Sequence, residues 1–313
     1  MRRLALGLAF IVTAGLSYSY WLASQPEKGL TRPIKAHASP FTQHDLTVNG
    51  LRLRYIDEGA GIPLVLVPGL SSRLEEYDGL TALLRHQYRV LVLDFPGSGY
   101  SEKPNREYSV EYYVETLIAF LDALNIRECY VAGGSLGGNV ALRAGHRSPK
   151  RFIRLAAWGV GSAWNPRPAA SWAARTFGGR ALFWPTLQIQ STYWYRPGFP
   201  QTRRLLDQTW TYLHEVVSPG FIRMYWNLVS DQMGNSIFLL APKIRQPVLL
   251  IWGEDDHWGD MGWGMSHLQT LLPHAELLKW PATGHAVAVE RPTETAAALD
   301  EFFSRPTTEI TTP

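Results

Sequence analysis

Cysteine is almost absent: Cys129 stands alone in 313 residues, which excludes an internal disulfide framework. No C-x-x-C or H-E-x-x-H spacing occurs, so neither a structural zinc site nor the helix-borne ligand pair of a zinc protease is expected. Charge imbalance is lacking too. The formal net charge is +3, with no basic block and no RNA-binding signature, so nucleic acid is not expected as a partner. Internal repeats are missing. Charged residues are 18% of the chain against 46% hydrophobic, a balance that excludes disorder and leaves room for a large core. Cys129 falls in an apolar run with strand character, where a thiol belongs to the core and is no nucleophile.

Apolar runs and tryptophan are plentiful. Met1-Arg2-Arg3 precedes a chargeless run from Leu4 to Leu22, just long enough to span a bilayer as a helix. Tyr18, Tyr20 and Trp21 gather at its far end, as in an interfacial aromatic belt. The run predicts a membrane anchor over residues 1–24, with a cleaved signal peptide as the rival. Either way the rest of the chain is exported, tethered in the first case and secreted or periplasmic in the second. A buried core helix fits the terminal position and the arginine pair less well. Residues 25–40 are polar with three prolines and read as a linker.

Order begins near Phe41. Leu46-Thr47-Val48, Asn49-Gly50 and Leu51 to Ile56 predict a hairpin. A continuous apolar run at Pro63 to Val67, and the stretch Arg89 to Asp94 with its apolar middle from Val90 to Leu93, predict strands buried on both faces. Helical spacing follows each, from Tyr77 to Leu84 and from Val110 to Leu124. A strand from Cys129 to Ala132 is expected to stop at Gly133-Gly134, and Phe152 to Trp158 predicts another. This alternation points to an α/β architecture, a mostly parallel central sheet with helices on both faces.

From 160 to 240 the alternation lapses. Seven of the twelve tryptophans lie between Trp158 and Trp226, and Thr202 to Val217 has an amphipathic helical pattern. The stretch reads as a helical cap inserted between core segments 41–159 and 241–304. Alternation resumes with a strand from Gln246 to Trp252, a helix around Met265 to Leu272, a strand from Ala275 to Trp280 and a last helix opened by Glu290-Arg291-Pro292. The tail over 305–313 is expected to be disordered.

Gly133-Gly134-Ser135-Leu136-Gly137 is a G-x-S-x-G between a strand and a helix. That context is the nucleophile elbow, which holds a serine hydroxyl clear of the sheet in front of a helix N-terminus. Asp256 and His285 also follow predicted strands, and groups at the carboxyl ends of parallel strands converge however distant in sequence. A serine hydroxyl needs a base to take its proton, histidine titrates in the right range, and a carboxylate orients the imidazole. Ser135, Asp256 and His285 are therefore the candidate catalytic residues. Glu254, Asp255 and Asp260 are neighbouring alternatives for the acid. His257, His267 and His274 read as surface or loop residues.

The sequence resembles the α/β-hydrolase family from about Leu46 to Phe303. The likeness rests on Pro68-Gly69 after the third strand, Asp94-x-Pro-Gly-x-Gly-x-Ser101, the serine motif, Gly253-Glu254-Asp255-Asp256, Gly284-His285 and Glu290-Arg291-Pro292. It implies an α/β-hydrolase fold, an oxyanion hole from the backbone N–H groups of Leu70 and Leu136, and a structural role for Asp94. Two departures stand out: Pro68, where many members carry histidine, and His257-Trp258-Gly259-Asp260 after the acid. Serine at the elbow excludes the aspartate-dependent dehalogenases and epoxide hydrolases of this fold. The chain is similar to membrane-associated bacterial lipases and monoacylglycerol lipases. This implies a serine hydrolase acting on a lipophilic carboxylic ester through an acyl-enzyme, with no metal or organic cofactor. Open beside it stand a proline-iminopeptidase-like activity, an amide or carbon–carbon bond hydrolase, and a non-enzymatic hydrolase-fold binding protein. The cap has few acids (Asp207, Glu215 and Asp231) among more numerous arginines, which counts against recognition of a substrate amine. Oligomeric state is not legible.

Overall fold

A computed structural model describes residues 39–160, 172 and 179–306. The expected anchor, nearly all of the linker, the opening of the expected cap and the end of the tail lie outside the described residues. Among the described residues no helix is long and apolar enough to cross a membrane.

The chain enters through β1 (Gln43–Val48) and β2 (Leu51–Glu58), paired antiparallel. Asn49 and Gly50 turn between them, both at positive φ, which suits the tight hairpin that the pair predicts. β3 (Ile62–Val67) follows, then a single helical turn at Leu74–Tyr77, α1 (Asp78–Leu84) and β4 (Tyr88–Leu93). α2 (Val110–Ala123) leads into β5 (Cys129–Gly134), α3 (Leu136–Arg147) and β6 (Phe152–Trp158). β5 runs two residues further than expected, through both glycines, so the serine stands directly on the strand end.

Between β6 and β7 the described chain leaves the sheet for α4 (Arg180–Ser191), α5 (Thr202–Val216) and α6 (Pro219–Gly234). Ser218 caps α6 by accepting from the Phe221 N–H, and Pro219 occupies its first turn, as the orphan N–H groups there favour. Phe183 of α4 meets Tyr225 of α6 edge to face at 5.0 Å, so the aromatic residues of this region largely pack one another. β7 (Val248–Gly253), α7 (Met261–Leu271), β8 (Glu276–Trp280), α8 (Val287–Glu290) and α9 (Pro292–Ser304) complete the fold. α7 starts four residues earlier than its apolar spacing indicates.

The eight strands lie in the order β1-β2-β4-β3-β5-β6-β7-β8, with every pairing from β4 to β8 parallel. Side chains alternate across the sheet. Val65 and Val67 join a core formed with α2, α3 and the cap helices, whereas Leu64 and Leu66 join one formed with α1 and α9. Burial on both faces is what the continuous apolar strand runs require. Cys129 is buried, and burial pushes its thiol up to about 12, so it stays protonated.

Candidate active site

Ser135 sits at φ 54° and ψ −121°, a left-handed conformation that costs an L-residue energy and is held only by its surroundings. Those surroundings are close. A Cβ on Gly137 would overlap the Val67 carbonyl oxygen, and one on Gly134 would meet the Trp158 indole. The N–H of Ser135 donates to the Trp158 carbonyl at the end of β6 (2.8 Å). Leu136 begins α3, so its N–H is one of the orphan donors of a helix N-terminus. The loop after β3 passes beside the serine: a Cβ on Gly69 would stand 3.7 Å from the Ser135 Cβ. Leu70, next in that loop, lines the same cavity as Ser135.

His285 follows β8 and lies over the corner beyond β6, where a Cβ on Gly159 would come 3.0 Å from its ring. Ser135 and His285 thus flank one corner, Trp158-Gly159. The His285 Nδ1 is 2.8 Å from the Asp256 Oδ2. A carboxylate only accepts, so Nδ1 carries the hydrogen and Nε2 keeps its lone pair. Asp256 is buried, whereas Glu254 and Asp260 are exposed. Its second oxygen accepts from the Trp258 N–H at 3.0 Å, and the Trp258 ring stands 6.4 Å from the imidazole. The unusual continuation after the acid therefore supplies both a backbone donor and part of the wall beside His285.

The other sequence departure also finds its counterpart. Pro68 offers no side-chain donor, and the Tyr77 hydroxyl instead bridges the two loops, accepting from the Gly134 N–H (3.0 Å) and donating to the Val67 carbonyl (3.1 Å). Asp94 does not line the cavity that holds Ser135 and is structural. It accepts from the N–H groups of Leu74 and Tyr100 and from Arg54. His274 meets the Gln246 carbonyl at 3.0 Å, His267 stacks on Trp263 at 4.9 Å, and His257 is exposed. None of the three lines the cavity.

That cavity measures about 650 Å³ and is bounded by Ser135, His285, the loop after β3, and α4, α5 and α6. Its walls differ in character. α6 and the segment after it contribute Trp226, Val229, Met233 and Ile237, while the turn after β3 contributes Arg73, Glu75 and Glu76. Sequence reading missed this charged wall. The available signal was its position just past the carboxyl end of a parallel strand, where ligands collect. Burial pushes the Glu76 carboxyl up to about 7, against the opposing pull of the His285 and Arg73 charges. Burial disfavours charge on His285, but Asp256, Glu76 and Glu290 outweigh it and hold the imidazole above its usual 6.5. Among the described residues no group of His, Cys, Asp and Glu is arranged to hold a metal ion.

A serine at a strand-to-helix elbow in a mostly parallel sheet, with a histidine–carboxylate pair at the same corner, defines a hydrolase scaffold. The alpha/beta hydrolase family model matches residues 64–298, and the chain belongs to that family. It is 26% identical to a cis-3-alkyl-4-alkyloxetan-2-one decarboxylase of Shewanella oneidensis over 87% of this chain and 91% of that one. It is 30% identical to a 2-hydroxymuconate semialdehyde hydrolase of a Pseudomonas species over 54% of this chain and 55% of that one. Among solved structures, a bacterial membrane phospholipase A superposes with a TM-score of 0.67 at 24% identity, covering 97% of this chain and 98% of that one. At that identity the likeness speaks for the fold alone.

Proposed function

We propose that the protein is a serine hydrolase that cleaves lipophilic carboxylic esters through an acyl-enzyme. The observation that carries this reading is the strained Ser135 elbow opening into the same cavity as His285, whose Nδ1 is held by Asp256. In the proposed reaction Ser135 Oγ attacks the ester carbonyl while His285 Nε2 takes its proton. The oxygen that becomes negative is met by the N–H groups of Leu70 and Leu136. The tetrahedral intermediate collapses, the alcohol leaves with the proton from His285, and water repeats the cycle to free the acid. Asp256 keeps the imidazole in the reactive tautomer and stabilises its charged form. No step calls for a cofactor.

The acyl part is assigned to the apolar wall formed by α6 and the residues after it, where burial of each methylene contributes roughly 0.8 kcal/mol. As part of the same proposal, the apolar run from Leu4 to Leu22 anchors the catalytic part at the exported face of a membrane; secretion after cleavage of that run is the alternative. The test is hydrolysis of p-nitrophenyl esters graded from short to long acyl chains. Turnover should be strongest on medium or long chains, and Ser135→Ala should lose on the order of a thousandfold or more. Equal turnover in Ser135→Ala would remove the serine mechanism.

A second reading is hydrolysis of a carbon–carbon bond. Its support is the similarity to a 2-hydroxymuconate semialdehyde hydrolase and the charged wall beside the serine, which an apolar ester does not need. A ring-cleavage dienoic acid turned over faster than every ester would favour it.

A further inference from the structure

The turn Leu74–Tyr77 is a single loop of 3₁₀ helix, and with three residues per turn it presents three distinct faces. Leu74 and Tyr77 share the buried face. Glu75 has both oxygens held by Arg54, at 2.9 Å each. Glu76 takes the remaining face and lines the cavity. Its carboxylate makes no hydrogen bond or ion pair among the described residues, unlike Asp78, which accepts from Ser39, or Asp256 and Glu290, which are bonded. A partly buried carboxylate left without a donor costs the fold energy, and burial accordingly holds Glu76 up at about 7.

Tyr195 reaches the same cavity from the segment after α4. Its hydroxyl is likewise without a protein partner among the described residues, and the charge of Glu76 acts on it. Its backbone is pinned on both sides. The Trp194 carbonyl accepts from the Ala286 N–H at 2.9 Å, and the Arg196 N–H donates to Glu290 at 3.0 Å. Glu290 also accepts from the Gly284 N–H at 3.1 Å, so the cap segment and the histidine loop are fastened together. Tyr195 is thus a fixed feature of the cavity.

The place of these groups says which end of an ester they meet. An imidazole that returns its proton to the departing oxygen must lie against the alcohol part of the substrate; Glu76 and Tyr195 line the same cavity as His285, and the Glu76 charge helps to hold the imidazole up. An ionised carboxylate accepts only, its protonated form also donates, and a phenol accepts or donates, so a hydroxyl, which does both, complements Glu76 in either form. An ammonium is the poorer match. Arg73 lies on the same wall, stacked 4.7 Å over the Tyr212 ring, and its positive charge acts on Glu76. Neutral hydroxyls donate without adding to that charge.

We propose that Glu76 and Tyr195 form an alcohol subsite, which selects esters whose leaving group carries a free hydroxyl, such as a glycerol monoester, over plain alkyl esters. The proposal rests on the ester-hydrolase reading above and adds to it the chemistry of the leaving group.

The test compares kcat/KM for three esters of one medium-chain acid: the glycerol monoester, the propyl ester and the 2-aminoethyl ester. Wild type should favour the glycerol ester over the propyl ester by on the order of tenfold, the value of a hydrogen bond to a charged group. Glu76→Gln, nearly isosteric, and Tyr195→Phe should each pull that ratio toward unity, with circular dichroism and melting temperature showing that both variants fold. A ratio near unity in wild type overturns the subsite while leaving the ester reading intact. A fall shared equally by glycerol and propyl esters in Glu76→Gln also overturns it, since Glu76 would then act only through His285. An aminoethyl ester preferred over the glycerol ester replaces the polyol with a cation. If wild type cleaves none of the three, the ester reading itself fails.

Discussion

Replacing Tyr77 by phenylalanine removes one oxygen from a residue that is fully buried, and that oxygen links the strand end before Gly69 to the strand end before Ser135. The Gly134 N–H loses its acceptor, which costs about 1–3 kcal/mol for an orphaned buried donor. The bond to the Val67 carbonyl is lost as well, worth about 1 kcal/mol net. The ring itself remains, edge to face with Trp158 at 5.8 Å, so no cavity penalty is added. The sum is about 2–4 kcal/mol, which for a domain of this size lowers the melting temperature by roughly 5–15 °C. Because Gly134 leads directly into the strained serine, kcat/KM on a p-nitrophenyl ester should also fall, by about tenfold, as misplaced reacting groups do. Differential scanning calorimetry and initial rates taken well below the transition measure the two effects separately. A variant that melts within about 2 °C of wild type and keeps its kcat/KM would refute the idea that this hydroxyl braces the elbow where Pro68 offers nothing.

Two further outcomes follow from the electrostatics. Since Asp256, Glu76 and Glu290 together hold His285 above 6.5 against the effect of burial, and the neutral imidazole is the base, kcat/KM should rise through a limb centred above that value. Asp256→Asn should lower the limb and cut turnover by about a thousandfold or more; a wild-type limb at or below the ordinary imidazole value would sink this account. A folded pKa above the unfolded one means that charged His285 stabilises the fold at low pH, and that this contribution fades as pH rises through the folded value. His285→Gln should therefore destabilise more in acid than in mild alkali, as urea unfolding at the two pH values would report. Arg54 has only 5% of its side chain exposed, bonded to Glu75 and to Asp94 (2.7 Å). Arg54→Met leaves both carboxylates buried without their cation, at about 3–5 kcal/mol; a loss under about 1 kcal/mol, the range of an exposed pair, would contradict that burial.

The sheet was legible because its strands are buried on both faces, so Pro63 to Val67 and Val90 to Leu93 stand out as unbroken apolar runs. The hairpin was legible from Asn49-Gly50, since only residues tolerant of positive φ suit that turn. Helix ends were less so. α7 begins at Met261, ahead of its expected start, because Gly262 and Gly264 weaken the helical signal while Trp252 and the core behind it hold the turn in place. The short helices at Leu74–Tyr77 and Val287–Glu290 escaped, being shorter than any window in which apolar periodicity can be read. Ser135, Asp256 and His285 stood out by motif and order, and the structure sets Ser135 and His285 about one corner with Asp256 bonded to His285. The bracing hydroxyl of Tyr77 carries no motif, since one tyrosine in an apolar stretch reads simply as core.

The charged wall shows why a site is harder to read than a fold. A substrate amine would call for acids in the cap, and those of the cap sequence are Asp207, Glu215 and Asp231. Glu215 is buried and accepts from the Tyr100 hydroxyl, Asp231 accepts from the Val110 N–H, and none of the three lines the cavity. Glu76 does, from the core itself. Its neighbour Glu75 looks the same in sequence and lines the cavity too, yet Glu75 is held by Arg54 and Glu76 is left without a donor. What separates them is a rotation of one-third of a turn in a four-residue 3₁₀ helix. Composition cannot carry that information, because it depends on Leu74 and Tyr77 being claimed by the core first. Once those two are buried, the remaining faces are fixed, and which carboxylate stays unpaired in the cavity follows from the packing of its apolar neighbours.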